Sequence, residues 1–338
     1  MAIKSSSNIE KKDRLISPVE KKIDISDNSL RPKSLSDYVW QKNIKKHLSV
    51  SIQSAKIRKD SLEHILFYGS AWLWKTTLSN IIALEMWTSL KTTSWPAVEK
   101  QADLVSILSN LEAWDVLFID EIHRLKPQIE EILYTAMEDY ALDIMVWSGP
   151  WAQSVRIDLA SFTLVWATTK LSSLSAPLRD RFWNILKLDF YDKDEIFTIL
   201  KRSSKIIEIE LIDEIIKKIA SRSRWTPRIA NRLLKIIRDY VVIWKDLNSV
   251  ETLEEIFADL AIDELWLDYL DKKYLKTILE KFNFWPVWLN TLSSTLWEEE
   301  ATLEDVVEPY LLQIWFIERT SRWRKISLAW IEHLKKFK

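Results

Sequence analysis

One eight-residue segment restricts the folds open to this chain more than any other feature. The apolar run HILFY (64–68) leads directly into GSAWLWKT (69–76), and a helix-period segment, LSNIIALEM (78–86), follows. A strand, a tight loop ending in Lys-Thr and a helix match the phosphate-binding pattern G-x-x-x-x-G-K-[ST]. Gly69 opens the loop, Lys75 would reach the β- and γ-phosphates, and the Thr76 hydroxyl would ligate Mg²⁺. The match has one departure: Trp74 stands at the second glycine, where backbone N–H groups must wrap closely around phosphate. Alone, the segment is also compatible with a chance Lys-Thr-Thr at a helix start.

A second motif removes that reading. DVLFID (115–120) is an apolar run ending in an acidic pair, Asp120 and Glu121, 45 residues after Lys75. A carboxylate at the end of a buried strand suits Mg²⁺ binding (Asp120), and its neighbour suits polarising an attacking water (Glu121). FTLVWATT (162–169) is a third buried-strand candidate. Such runs alternating with helical segments predict an α/β fold, a parallel sheet flanked by helices. ALDIMV and SVRIDL flank the turn-rich WSGPWAQ, so 141–159 reads as a β-hairpin.

Beyond about residue 190 the pattern becomes helical. EIFTILKRSSKII, LIDEIIKKIASRS and TPRIANRLLKIIRDYVV are amphipathic, the last with Thr226 as N-cap and Pro227 at the first helical position. From 264 a third unit begins, three helices and a terminal hairpin in a winged-helix pattern. Its hairpin carries Arg319, Arg322, Arg324 and Lys325 within seven residues, a basic tip able to track a phosphate backbone without reading sequence. The expected organisation is an arm over 1–29, an ATPase domain over 30–190, a small helical domain over 191–263 and a winged helix over 264–338.

Composition narrows the chemistry. With no Cys there is no disulfide framework, thiolate metal site or cysteine nucleophile. His47, His64, His123 and His333 lack metal-ligand spacing, so no zinc site is expected. No apolar run is long enough to span a membrane and the N-terminus is not signal-like, which gives a cytoplasmic expectation. A net charge of −1 means that any attraction to nucleic acid must be local.

LRPKSLSDYVWQ, the loop at 69–76, FIDEIHRL, AMEDY, SAPLRDRFWNILKLDFY, RSRWTPRIANRLL and EPYLLQIWFIERTSRWR together resemble the RuvB family, in order across residues 15–338. A generic AAA+ ATPase would share the two phosphate motifs but not the C-terminal text. The resemblance implies a AAA+ P-loop ATPase domain, a small all-α lid and a C-terminal winged helix. It further implies a homo-hexameric, ATP- and Mg²⁺-dependent motor for Holliday-junction branch migration, with DNA, RuvA and RuvC as partners and no membrane. By position, Leu30 and Arg31 would border the adenine, and Trp72 and Trp74 fall in the phosphate cradle. Thr77 would donate to phosphate, and Glu138, Asp139, Tyr140 and Tyr191 would contact nucleotide. Thr168 matches the sensor that positions the lytic water, and Arg228 the second sensor. Arg181 matches the arginine finger, with Arg179 as neighbouring candidate. The hairpin would dock RuvA through Ile144, Val146 and Ile157. Two rivals stay open: a clamp-loader-like AAA+ remodeller, and a non-catalytic DNA-binding ring if Trp72 and Trp74 fill the cradle.

The chain has 19 Trp and 2 Gly, where about 7% Gly is ordinary. The family pattern expects Gly at Trp40, Trp72, Trp74, Trp87, Trp95, Trp147, Trp166, Trp183, Trp225, Trp285, Trp288, Trp315 and Trp323. Gly would also fit at Trp151, Trp244, Trp266 and Trp297; Trp114 precedes a strand, and only Trp330 looks native. Substitution at random would not choose one residue type. A gene that uses UGA for glycine, read with the tryptophan assignment, would produce this pattern. That reading predicts indoles crowded into turns and positive φ at Trp.

Overall fold

The computed structural model describes residues 29–338 except 40, 71–72, 95–97, 99, 122–126, 147–152, 172–173, 245–248, 261, 264, 321 and 337–338. The chain divides into two compact units, Met1–Arg31 and Pro32–Lys338. Of the first, only residues 29–31 are described, so the expected arm lies almost wholly outside the described residues.

Within the second unit, helix α1 (Lys42–Arg58) precedes strand β1 (Ile65–Gly69), after which α2 (Lys75–Met86), β2 (Leu90–Ser94), α3 (Gln101–Ser109) and β3 (Val116–Asp120) alternate. Helix α4 (Pro127–Asp139) leads into the hairpin β4 (Ala141–Val146) and β5 (Gln153–Asp158). The core then resumes with β6 (Thr163–Thr168), a short α5 (Ala176–Arg179) and β7 (Asn184–Leu188). Five strands form a parallel sheet in the order β2-β3-β6-β1-β7.

The three apolar runs are β1, β3 and β6, the central strands, buried on both faces as a parallel sheet requires. Ile65, Phe67, Val116, Phe118, Val165 and Ala167 pack toward α1 and α2. Leu66, Leu117, Ile119, Leu164 and Trp166 face α3 and α4. Strands β2 and β7 lie at the sheet edges, and their mixed text, LKTTS and NILKL, contains no apolar run to find.

The lid consists of helices α6 (Lys193–Ile206), α7 (Asp213–Ser221), α8 (Pro227–Trp244) and α9 (Val250–Asp259). Asp192 caps α6 in a reciprocal box with Glu195. Pro227 opens α8 as its sequence suggests, but the Thr226 hydroxyl donates back to the Ser223 carbonyl at 3.2 Å. Ile196, Ile199, Ile219, Leu233 and Phe257 belong to the same apolar cluster as the α1–α2 face of the sheet.

The C-terminal domain comprises α10 (Tyr269–Phe282), β8 (Val287–Trp288) and α11 (Leu289–Leu296). Helix α12 (Glu300–Thr302) passes through a π-helical turn, Leu303–Val307, into α13 (Glu308–Gln313). The wing strands β9 (Ile317–Arg319) and β10 (Trp323–Ile326) and helix α14 (Leu328–Lys336) close the chain. The small sheet runs β8-β10-β9, antiparallel.

Candidate functional site

Parallel pairing brings the carboxyl ends of β1, β3 and β6 to one edge, the usual ligand-binding position of such sheets. Gly69 ends β1 at φ 154°, and a Cβ there would collide with the Leu188 carbonyl oxygen, so only glycine fits. Ala71 and Trp72 lie outside the described residues. Trp74 is left-handed, φ 58° and ψ 31°, and its carbonyl accepts the Leu78 amide at 2.9 Å as α2 begins. The backbone therefore adopts at Trp74 the conformation for which a phosphate loop uses glycine. The indole rests against Tyr38 (centroids 6.5 Å apart) and Tyr191 (6.3 Å).

Lys75 is buried, and its ammonium donates to the Gly69 carbonyl at 3.1 Å and the Thr168 carbonyl at 3.2 Å. Burial pulls its pKa down, while Glu121 and Asp120 oppose that pull. Asp120 ends β3 and accepts the Glu121 amide at 3.0 Å; Glu121 itself takes φ 54°. The Thr169 hydroxyl donates to Glu121 Oε2 at 3.4 Å, and the Thr168 hydroxyl accepts the Lys170 amide at 3.0 Å. Thr77 is buried in the first turn of α2 and Thr76 is half-buried beside it. Lys75, Thr76, Thr77, Asp120, Glu121 and Thr168 thus converge on one sheet edge. The oxygens of Thr76 and Asp120 suit Mg²⁺, which keeps waters and substrate phosphates in its shell. Among the described residues no cluster of three His, Cys, Asp or Glu could hold a metal alone.

Tyr191 is buried, its hydroxyl 3.4 Å from that of Tyr38, and burial raises both phenols above their usual range. Arg228 is exposed in the first turn of α8. Leu30 and Arg31 close the separate Met1–Arg31 unit.

Glu138, Asp139 and Tyr140 lie elsewhere. Tyr140 packs on His64 and Phe162, and its hydroxyl is 3.3 Å from that of Ser61, so the trio ends α4 at the amino edge of the sheet, opposite Lys75. Arg181, just before β7, reaches the same edge. It pairs with Glu138 at 3.1 Å, lies 4.6 Å from the Tyr134 ring centroid and donates to the Pro177 carbonyl. Neither this arginine nor the trio joins Lys75 within one chain. Arg179 is half-buried beside it.

At the wing, strand alternation divides the basic residues. Arg322 and Lys325 are exposed, but Arg324 points inward and is buried. Its Nε donates to Glu308 at 2.8 Å and its second nitrogen to Glu304 at 3.1 Å. Arg319 also donates to Glu308, at 3.1 Å. The four-charge tip expected from sequence is corrected: Arg324 is an internal ion-pair partner, and its signal was Glu308, 16 residues upstream. In the hairpin, Ile144 and Ile157 are half-buried against the sheet's core, and Val146 pairs with Gln153. Val155, opposite Ile144, is exposed and apolar, which the alternation in SVRIDL could have identified.

Positive φ recurs at tryptophan. Trp74, Trp87, Trp114, Trp225, Trp266, Trp297 and Trp315 all take it, with φ between 50° and 73°. Trp87, Trp183, Trp285, Trp297 and Trp315 expose most of their surface. His123 lies outside the described residues, as do Trp40, Trp95, Trp147 and Trp151. No helix among the described residues is long and apolar enough to cross a membrane.

Comparison with known proteins agrees with this arrangement. Residues 30–188 match the profile of the Holliday junction DNA helicase RuvB P-loop domain, 191–268 the RuvB AAA lid domain and 264–335 the RuvB C-terminal winged helix domain. The Holliday junction branch migration complex subunit RuvB of Dehalococcoides mccartyi (strain CBDB1) is 52% identical over 309 residues, covering 91% of this chain and 88% of that protein. The Thermotoga maritima RuvB Holliday junction branch migration motor superposes with a TM-score of 0.83 at 45% identity, covering 91% of this chain and 98% of that one. A point variant of it gives 0.84, covering 90% and 98%. With its P-loop domain, lid and winged helix all matched in order, the chain belongs to the RuvB family of AAA+, ATP-driven Holliday-junction branch-migration motors.

Proposed function

We propose that this chain hydrolyses Mg²⁺-bound ATP at the subunit interfaces of a homo-hexameric ring and thereby drives duplex arms of a Holliday junction through the ring. Its partners would be RuvA, docked on the 141–159 hairpin with Val155 as an exposed apolar contact, and RuvC in the resolving complex. The setting is recombination and repair in the cytoplasm. The observation that carries this reading is the convergence of Lys75, Asp120, Glu121 and Thr168 on one sheet edge.

Each residue has a task there. Lys75 would neutralise the β- and γ-phosphates, and Thr76 with Asp120 would hold Mg²⁺, which would supply positive charge beside the transferred group. Glu121 orients the attacking water and Thr168 fixes its position. Tyr191 and Arg228 bound the nucleotide from the lid side. Arg181, at the opposite edge from its own Lys75, is suited to a neighbouring subunit's ATP, with Glu138, Asp139 and Tyr140 beside it. Arg322 and Lys325, with Arg319 behind them, meet the phosphate backbone. The test is ATP-dependent dissociation of a labelled four-way junction with RuvA present. Loss of activity in Lys75→Ala supports the reading, and undiminished activity there overturns it.

A second reading has its own observation: the Trp74 indole lies between Tyr38, to which it is tilted, and Tyr191, which it meets edge-on, where it would obstruct the loop. On that reading the literal chain is a DNA-binding ring without hydrolysis. We favour glycine as the native residue at the left-handed Trp positions, with UGA as their codon. UGG codons there, or an intact mass of the native protein matching the Trp-rich chain, would sink that view.

A further inference from the structure

The three residues that leave β6 are tethered in sequence. The Thr168 carbonyl accepts Lys75 at 3.2 Å, the Thr169 hydroxyl donates to Glu121 at 3.4 Å, and the Lys170 ammonium lies 3.2 Å from Asp305 and 3.8 Å from Glu304. The first two tethers hold hydrolytic residues. The third crosses to the π-helical turn of the C-terminal domain. Turns of this kind are uncommon and concentrate at functional positions, because the extra residue loosens the helical ladder.

The same turn meets the nucleotide loop at a second place. Asp305 and Val306 line a cleft with Ser70 of that loop and with Arg224 and Tyr310. On its far side the turn is tied to the wing: Glu304 also accepts Arg324, whose Nε is held by Glu308. A continuous set of contacts therefore runs from Glu121 through Thr169, Lys170 and the π-turn to β10. Among the described residues of this route, Lys170 makes the side-chain ion pairs that join the two domains, the shorter to Asp305 and the longer to Glu304, all three side chains about one-quarter to one-third exposed.

We infer that Lys170 is a positioning residue that transmits the state of the hydrolytic loop to the winged helix through Asp305 and Glu304. This rests on the ATPase and DNA-binding reading above. When Glu121 reorients during hydrolysis, the Thr169 tether changes, and the adjacent Lys170 carries that change to the turn that sets the wing. Conversely, DNA pressing on the wing acts on Thr168 and Glu121 through the same chain of contacts.

The experiment measures ATP hydrolysis by the full chain with and without four-way junction DNA, in the wild type, Lys170→Gln, Asp305→Asn and the exchanged pair Lys170→Asp with Asp305→Lys. The single variants should keep basal hydrolysis and melting temperature while stimulation by DNA falls about fivefold or more, the lower range of allosteric coupling. The exchanged pair should recover stimulation. Single variants stimulated as strongly as the wild type overturn the inference. So does a loss accompanied by a lower melting temperature and no recovery in the exchanged pair, which marks a merely structural contact. A wild type that neither hydrolyses ATP nor binds junction DNA overturns the functional reading itself, and this inference with it.

Discussion

The indole of Trp74 meets Tyr191 edge-on, ring centroids 6.3 Å apart and planes at 76°, directly before Lys75. This packing holds a left-handed residue whose Cβ is strained by about 1 kcal/mol and whose side chain occupies the side of the loop that Tyr191 lines. Trp74→Gly removes both the strain and the bulk. Nucleotide affinity, measured by titration with a fluorescent ATP analogue, should rise by about tenfold or more, equivalent to about 1.4 kcal/mol. An unchanged or weaker affinity would show that the indole does not obstruct binding.

Trp297 isolates the backbone effect from any site. It is 91% exposed and caps α11 at φ 60° and ψ 41°, its amide donating to the Ser293 carbonyl. Glycine suits this helix end, and the exposed indole has little packing to lose. Trp297→Gly should stabilise the protein by about 1 kcal/mol in urea unfolding. Trp87 is a less clean case, because Lys56 sits 4.5 Å from its ring and that contact would be lost. Destabilisation by Trp297→Gly would contradict the glycine reading at helix ends.

Glu121 and Lys75 should separate under mutation. Glu121→Gln leaves the ammonium of Lys75 and the oxygens of Thr76 and Asp120 able to hold Mg²⁺ and ATP, but removes the group that orients water. Binding should survive while hydrolysis falls by about a hundredfold or more. Equal losses in binding and turnover would place Glu121 in the binding set instead.

Legibility followed position in the fold. Strands β1, β3 and β6 were readable because central parallel strands are apolar on both faces, and Gly69, Asp120 and Thr168 sit at their ends, where the motifs fall. Strands β2 and β7 were not, since edge strands keep one side polar. Arg324 misled for a different reason. In the text RTSRWRK every basic residue looks alike; the β9–β10 register, Arg324 opposite Arg319, turns Arg324 inward onto Glu308. The amino-edge placement of Glu138 and Arg181 depends on how α4 and β7 return across the sheet, which no local pattern announces.

His64 supplies a pH dependence. It lies buried at the start of β1, where Nδ1 accepts the Leu164 amide at 3.0 Å and Nε2 donates to the Met137 carbonyl at 3.2 Å. Burial lowers its pKa from 6.5 to about 4. The unfolded chain therefore binds the proton first. Stability from the neutral ring is complete above pH 6.5 and is lost as pH falls from there toward 4, amounting to about 3 kcal/mol. His64→Gln has no proton to take up in that window, so its urea-midpoint curve should be flatter than that of the wild type between about pH 6.5 and 4.5. Parallel curves would remove His64 from the acid response.

Arg324 and Arg322 stand two residues apart and should fail in opposite ways. Glu308 is fully buried and shared by Arg324, Arg319 and the Tyr274 hydroxyl, which donates to it at 3.0 Å. Arg324→Ala strips the best-aligned partner from a buried carboxylate, a change that costs about 3–5 kcal/mol. Its melting temperature should drop steeply, and any loss of DNA affinity should track the unfolding. Arg322 is exposed at the turn, so Arg322→Ala should leave the melting temperature unchanged. Its affinity should fall equally on unrelated duplexes, with the log–log salt slope shallower by about 0.9 for one lost phosphate contact. Melting curves and salt titrations of the two variants decide the matter. An Arg324→Ala protein as stable as the wild type but with the shallower slope would return that residue to the DNA-facing surface.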